Sequence, residues 1–210
     1  MRRHLPKGAQ RGVVMLHGRG GAADDILSLL DHAALPDVAA VAPEAPGLSW
    51  WPSSFLAPAD RLAPFVENGV SAVCEGVATL MHAGIARSSI WLCGFSQGAC
   101  LALEAFARQG QGLAGVFAMS GGLVGVNDHG SPSVVLHGYS DKTLDYSGHR
   151  GGAVWLSVHE RDPHIPLQRV TDSAAALRKM GAEVDMKIYP GSGHAVMRDD
   201  IAALQRMLNG

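Results

Sequence analysis

The chain has 210 residues, 47% of them apolar and 17% charged, with a net charge of −2 at pH 7. That length suits one domain spanning residues 1–210, which buries roughly 70% of its unfolded surface on folding, and the apolar share excludes a disordered or coiled-coil chain. No basic run exceeds Met1-Arg2-Arg3-His4, which excludes an electrostatic footprint for nucleic acid, and the apolar stretch after it is too short for a signal-peptide core or a membrane span, so a cytoplasmic location is expected.

In chain order, Val13-Val14-Met15-Leu16 reads as a strand, followed by the glycine loop His17-Gly18-Arg19-Gly20-Gly21. Asp24 and Asp25 stand where a helix cap belongs, ahead of Ile26, Leu27 and Leu30. Residues 38–42 form a second strand closed by Pro43, and Val66, Val70, Val73, Val77 and Leu80 mark a helix by their spacing of three and four. Ser89-Ile90-Trp91-Leu92-Cys93 is a buried strand, with a helical run from Ala99 to Phe106 beyond it.

Residues 113–119, 154–158 and 184–189 supply three more strands, the last alternating Val184, Met186 and Ile188. Leu167, Val170, Ala174, Leu177 and Met180 trace a helix, with Pro166 suited to its first turn and Gly181 to its end; Ile201, Leu204 and Leu208 mark the last helix. Strand and helix alternating throughout predict an α/β fold: a mainly parallel sheet of about six strands, covered on both faces, with no separate cap domain. Only twelve residues precede Val13, which leaves little room for an opening antiparallel hairpin. Residues 121–152 are rich in Gly, Ser, Asp and His and contain one further candidate strand, Ser133-Val134-Val135-Leu136-His137.

Between the third strand and its helix lies Gly94-Phe95-Ser96-Gln97-Gly98. Strand, GxSxG and helix in that order is the context of a nucleophile elbow, in which glycines permit a sharp turn and the serine is forced outward above the sheet edge. A serine hydroxyl needs a base, and a histidine oriented by a carboxylate provides one. His194 lies in the glycine loop after the last strand, where an imidazole can swing over the sheet's carboxyl edge. Asp162 is the favoured acid, because its strand leads through helix and strand to His194; Asp141 is its rival, and Glu160 a remote third. Backbone amides of Gln97 and Arg19 are the expected oxyanion donors. The Arg19 side chain is then free for a substrate carboxylate or for a surface pair with Asp24 or Asp25. Cys74, Cys93 and Cys100 are odd in number and sit in apolar patterns, as reduced, buried thiols do; Cys100, one turn after Ser96, reads as helix packing.

Taken together, Leu16-His17-Gly18-Arg19-Gly20, Gly94-Phe95-Ser96-Gln97-Gly98, Asp162-Pro163-His164-Ile165-Pro166 and Gly193-His194 resemble the phospholipase/carboxylesterase family of α/β hydrolases, which includes acyl-protein thioesterases and small bacterial carboxylesterases. The resemblance implies a triad of Ser96, Asp162 and His194 that works without cofactor or metal on a small-molecule ester, thioester or lysophospholipid, in a monomer or homodimer. Ser49-Trp50-Trp51-Pro52-Ser53-Ser54-Phe55-Leu56 looks like a family loop that walls the acyl pocket, so Trp50, Trp51, Phe55 and Leu56 are candidate binding residues; equally, the tryptophans anchor that loop to the core. The short N-terminus and the long stretch 127–152 depart from compact members.

Two other readings remain. A metal-dependent enzyme or metal binder would use His129, His137, His149, His159 and His164, whose spacing fits no recognised ligand pattern. A hydrolase-like binding protein without turnover is the other, and the complete triad argues against it.

Overall fold

The computed structural model describes residues 1–125, Tyr146 and residues 151–209. Its strands are β1 (Arg2–His4), β2 (Gly12–Leu16), β3 (Ala39–Ala42), β4 (Ile90–Phe95), β5 (Gly115–Met119), β6 (Ala153–Arg161) and β7 (Glu183–Ser192). The α-helices are α1 (Ala23–His32), α2 (Ala59–His82), α3 (Gln97–Gln109), α4 (Leu167–Lys179) and α5 (Arg198–Asn209). One sheet runs in the order β1-β3-β2-β4-β5-β6-β7, parallel throughout except for β1, which pairs antiparallel with β3.

Every residue of β2 is buried, which follows from its being apolar on both faces. Val14 and Leu16 join one core cluster with Val73 and Val77 of α2, Leu101 of α3 and Val170 of α4. Val13 and Met15 join the other, with Ile26 and Leu30 of α1 and Leu204 and Leu208 of α5. Each such side chain withdrawn from water contributes about 1.5–3 kcal/mol before chain entropy is counted, so the two clusters clamp the sheet between helices.

The cap residue of α1 is Ala22, not Asp24 or Asp25, which lie inside the first turn; from there Asp25 Oδ2 accepts the Ala22 amide at 2.7 Å, while Asp24 pairs with Arg2 at 3.4 Å. Among the described residues the sheet has seven strands rather than about six because Arg2–His4 pairs along β3, Arg2 opposite Ala42 and His4 opposite Ala40. All three of those residues are exposed, so the strand carries no apolar pattern to betray it. β6 and β7 extend beyond their apolar centres into Arg161 and Ser192, with a register irregularity between His159 and Arg161. The candidate strand at 133–137 lies outside the described residues.

Parallel strands all end at the same edge. Arg19 follows β2, Ser96 follows β4, Asp162 follows β6 and His194 follows β7.

Candidate active site

Ser96 joins β4 directly to α3 with φ 54° and ψ −120°, a strained conformation for a residue with a side chain. The turn closes only if its flanks are bare. A Cβ on Gly94 would lie 2.3 Å from the Gly98 carbonyl oxygen, and one on Gly98 would lie 2.1 Å from the Leu16 carbonyl oxygen. Both obstacles are backbone, so neither position accepts a methyl group without displacing β2 or α3. Ser96 is fixed from both sides, its amide donating to Met119 at 2.9 Å and its carbonyl accepting from Cys100 at 3.0 Å.

The hydroxyl of Ser96 lies 2.8 Å from His194 Nε2, and His194 Nδ1 lies 2.8 Å and 3.0 Å from the two oxygens of Asp162. An ionised carboxylate only accepts, so Nδ1 donates to Asp162 and Nε2 is left to accept from Ser96. Asp162 Oδ1 also accepts the amides of His164 at 2.8 Å and Ile165 at 3.0 Å. Burial pushes the Asp162 carboxyl up, but the bonds from His194 and from those two amides outweigh it and hold the group below its ordinary value.

Glu160 is turned elsewhere, its Oε2 accepting the Gly191 amide at 3.0 Å. Asp141 lies outside the described residues, as do His129, His137 and His149. His159 is buried against Tyr189, ring centroids 5.3 Å apart, and His164 meets the His194 ring edge-on at 4.8 Å. Among the described residues no group of three or more His, Cys, Asp or Glu side chains is gathered as a metal would require.

A cavity of about 510 Å3 opens beside Ser96. Gly18, Arg19 and Gln97 border it next to the serine, and Trp51, Phe55, Phe95 and Ile165 give it apolar walls. Cys100 also reaches it; burial above all pushes this thiol up to about 12, as it does that of Cys93, so both stay protonated. All three cysteines are free, Cys74 being exposed.

The four candidate binding residues divide. Trp51 and Phe55 line the cavity, whereas Leu56 is packed in the core and Trp50 stacks on His17 at 5.1 Å, its indole donating to the His17 carbonyl at 2.9 Å. His17 Nε2 accepts the Ala45 amide at 3.1 Å, which leaves Nδ1 to donate to the Gly18 carbonyl at 2.7 Å.

Sequence reasoning missed how this wall is held. The Gln97 carboxamide pairs with backbone like a neighbouring strand, Oε1 accepting from Trp50 at 2.9 Å and Nε2 donating to Trp51 at 2.8 Å. Arg19 does not pair with Asp24 or Asp25; its guanidinium donates to the carbonyls of Pro52, at 3.1 Å, and Ser53. Both residues thus strap the loop with their side chains.

The sequence profile of the family described as Phospholipase/Carboxylesterase matches residues 6–210. A phospholipase/carboxylesterase from Dyadobacter fermentans superposes with a TM-score of 0.82 at 35% identity, covering 97% of this chain and 91% of that one. Acyl-protein thioesterase 1 of Gibberella zeae is 30% identical over 130 residues, 61% of this chain and 50% of that protein, so the match spans about half the length of that curated relative. SOBER1 of Arabidopsis thaliana shares the fold, with a TM-score of 0.71 at 17% identity over 96% of this chain and 98% of that one. With its elbow, parallel sheet and profile match over nearly the whole length, this chain belongs to the phospholipase/carboxylesterase family of α/β hydrolases, a family of carboxylic ester hydrolases.

Proposed function

We propose that the chain hydrolyses carboxylic esters, and thioesters by the same path, through an acyl-enzyme on Ser96. The observation that carries this reading is the unbroken line from Ser96 Oγ through His194 to Asp162, each step 2.8 Å, beside a cavity with apolar walls. Ser96 Oγ attacks the acyl carbon as its proton passes to His194 Nε2, and Asp162 stabilises the imidazolium so formed. Charge then gathers on the former carbonyl oxygen, where the amides of Arg19 and Gln97 act as donors; losing one such donor typically costs about 10² to 10³ in turnover. His194 returns the proton to the departing alcohol or thiol. Water attacks the acyl-enzyme with the same imidazole as base, releasing the acid and restoring Ser96.

Trp51, Phe55 and Ile165 receive the acyl chain in this reading, and no cofactor takes part. One domain carries the site, and three free cysteines suit a reducing cytoplasm. Among the described residues no helix is long and apolar enough to cross a membrane. A fluorophosphonate probe should label Ser96 in the folded protein, and Ser96→Ala should lower ester turnover by about 10³-fold or more. Turnover that survives Ser96→Ala would dismiss the mechanism.

A further inference from the structure

Asp200, in the first turn of α5, is fully buried although both its chain neighbours reach solvent. A buried carboxylate is costly unless hydrogen bonds satisfy it, and here three neutral donors converge. Trp155 Nε1 from β6 and the Tyr189 hydroxyl from β7 donate to Oδ1 at 3.1 and 3.0 Å, and the Met197 amide donates to Oδ2 at 2.9 Å. Bonds to a charged acceptor are roughly twice as strong as neutral ones.

The origin of those donors matters more than their number. His194 lies between Tyr189 and Met197, so one carboxylate grips the chain on both sides of it. A second line of contact runs through the sheet. Tyr189 packs on the His159 ring at 5.3 Å, and Gly193 rests on that same ring so closely that a Cβ there would lie 2.6 Å from His159 Nε2. Asp200, Tyr189, His159 and Gly193 form a continuous support that ends one residue short of His194. Burial first, and then Asp200, push the Tyr189 hydroxyl up, so it stays protonated and able to donate.

We propose that Asp200 is a positioning residue for His194, acting through the Tyr189 hydroxyl and the Met197 amide to hold the loop that delivers the imidazole to Ser96. A capping role alone would affect only the stability of α5. Positioning affects the Ser96–His194 distance, and a displacement of about 1 Å can cost up to about 10²-fold in rate. The inference rests on His194 serving as the base, so its test includes one measurement that needs no turnover.

Asp200→Asn and the milder Tyr189→Phe are compared with the unaltered protein below their unfolding temperatures. The readouts are kcat and KM for an aryl ester, the rate of fluorophosphonate labelling, and the downfield proton resonance of the His194 Nδ1–H bond to Asp162. Asp200→Asn should lower kcat and labelling together by about tenfold, with KM little changed, and should shift or broaden the resonance. Tyr189→Phe, which keeps two of the three bonds, should do the same by about threefold. Folded variants with only a lower melting temperature, and with kcat, labelling and resonance all unchanged, would overturn the proposal. If Asp200→Asn does not fold, Tyr189→Phe decides by the same criteria. A native protein that neither turns over nor labels would overturn the hydrolase reading instead, while the resonance still reports whether Asp200 holds His194.

Discussion

Asp162 is held by His194 from one side and by two backbone amides from another, and this has a consequence for acid stability. A carboxyl whose folded pKa lies below its unfolded value of about 3.9 adds stability that is fully present above that value and is lost as pH falls through the folded value. Asp162→Asn isolates the effect, because the carboxamide oxygen can still accept the amides of His164 and Ile165. The stability difference between the native protein and Asp162→Asn should be largest near neutral pH and should shrink below about pH 4, as measured by urea midpoints across that range. A difference independent of pH would show that the ionised form receives no special support. The sequence suggested these roles because order and turn context leave a local trace. The side-chain bonds of Gln97 and Arg19 to the loop after β3 were not legible, since a side chain that reaches across 46 residues, as Gln97 does to Trp51, leaves no pattern near its own position.

At the scale of elements, β4, Ser96 and α3 form one rigid unit whose tolerance is set by contacts between backbones. The Gly98 position abuts the Leu16 carbonyl, at the end of β2, and no side chain there can rotate away to make room. Gly98→Ala should therefore cost about 1–3 kcal/mol of stability and should also lower kcat, because it displaces the first turn of α3, whose Gln97 amide is the oxyanion donor in the proposed mechanism. Loss of stability with kcat intact would separate the elbow's packing from its chemistry. Elements with an apolar face were readable: α4 and its stripe of Val170, Ala174 and Leu177 lie buried as spaced. β1 was not, since an exposed edge strand of Arg2, Arg3 and His4 is held by main-chain pairing and has no face to hide.

Across the molecule, alternation of strand and helix brings residues far apart in the chain to one sheet edge, which is why the order of motifs pointed to Ser96, Asp162 and His194 meeting there. Cavity size had no such signature, because its walls come from the ends of, and the segments after, β2, β3, β4, β6 and β7, and their spacing is set only on folding. In the proposed reaction the space of about 510 Å3 walled by Trp51, Phe55, Phe95 and Ile165 receives the acyl chain, which makes a quantitative prediction. Each methylene withdrawn from water is worth about 0.8 kcal/mol, so kcat/KM over a series of aryl esters should rise about fourfold per added methylene while the cavity fills, then level off. A matched thioester series should level off at the same length, since the acyl side is identical and only the leaving group differs. Phe55→Ala, which removes one wall, should move the plateau to longer chains in both series. Rates that are flat from the first member, with no response to Phe55→Ala, would mean that the acyl chain lies elsewhere and that the cavity receives the leaving group.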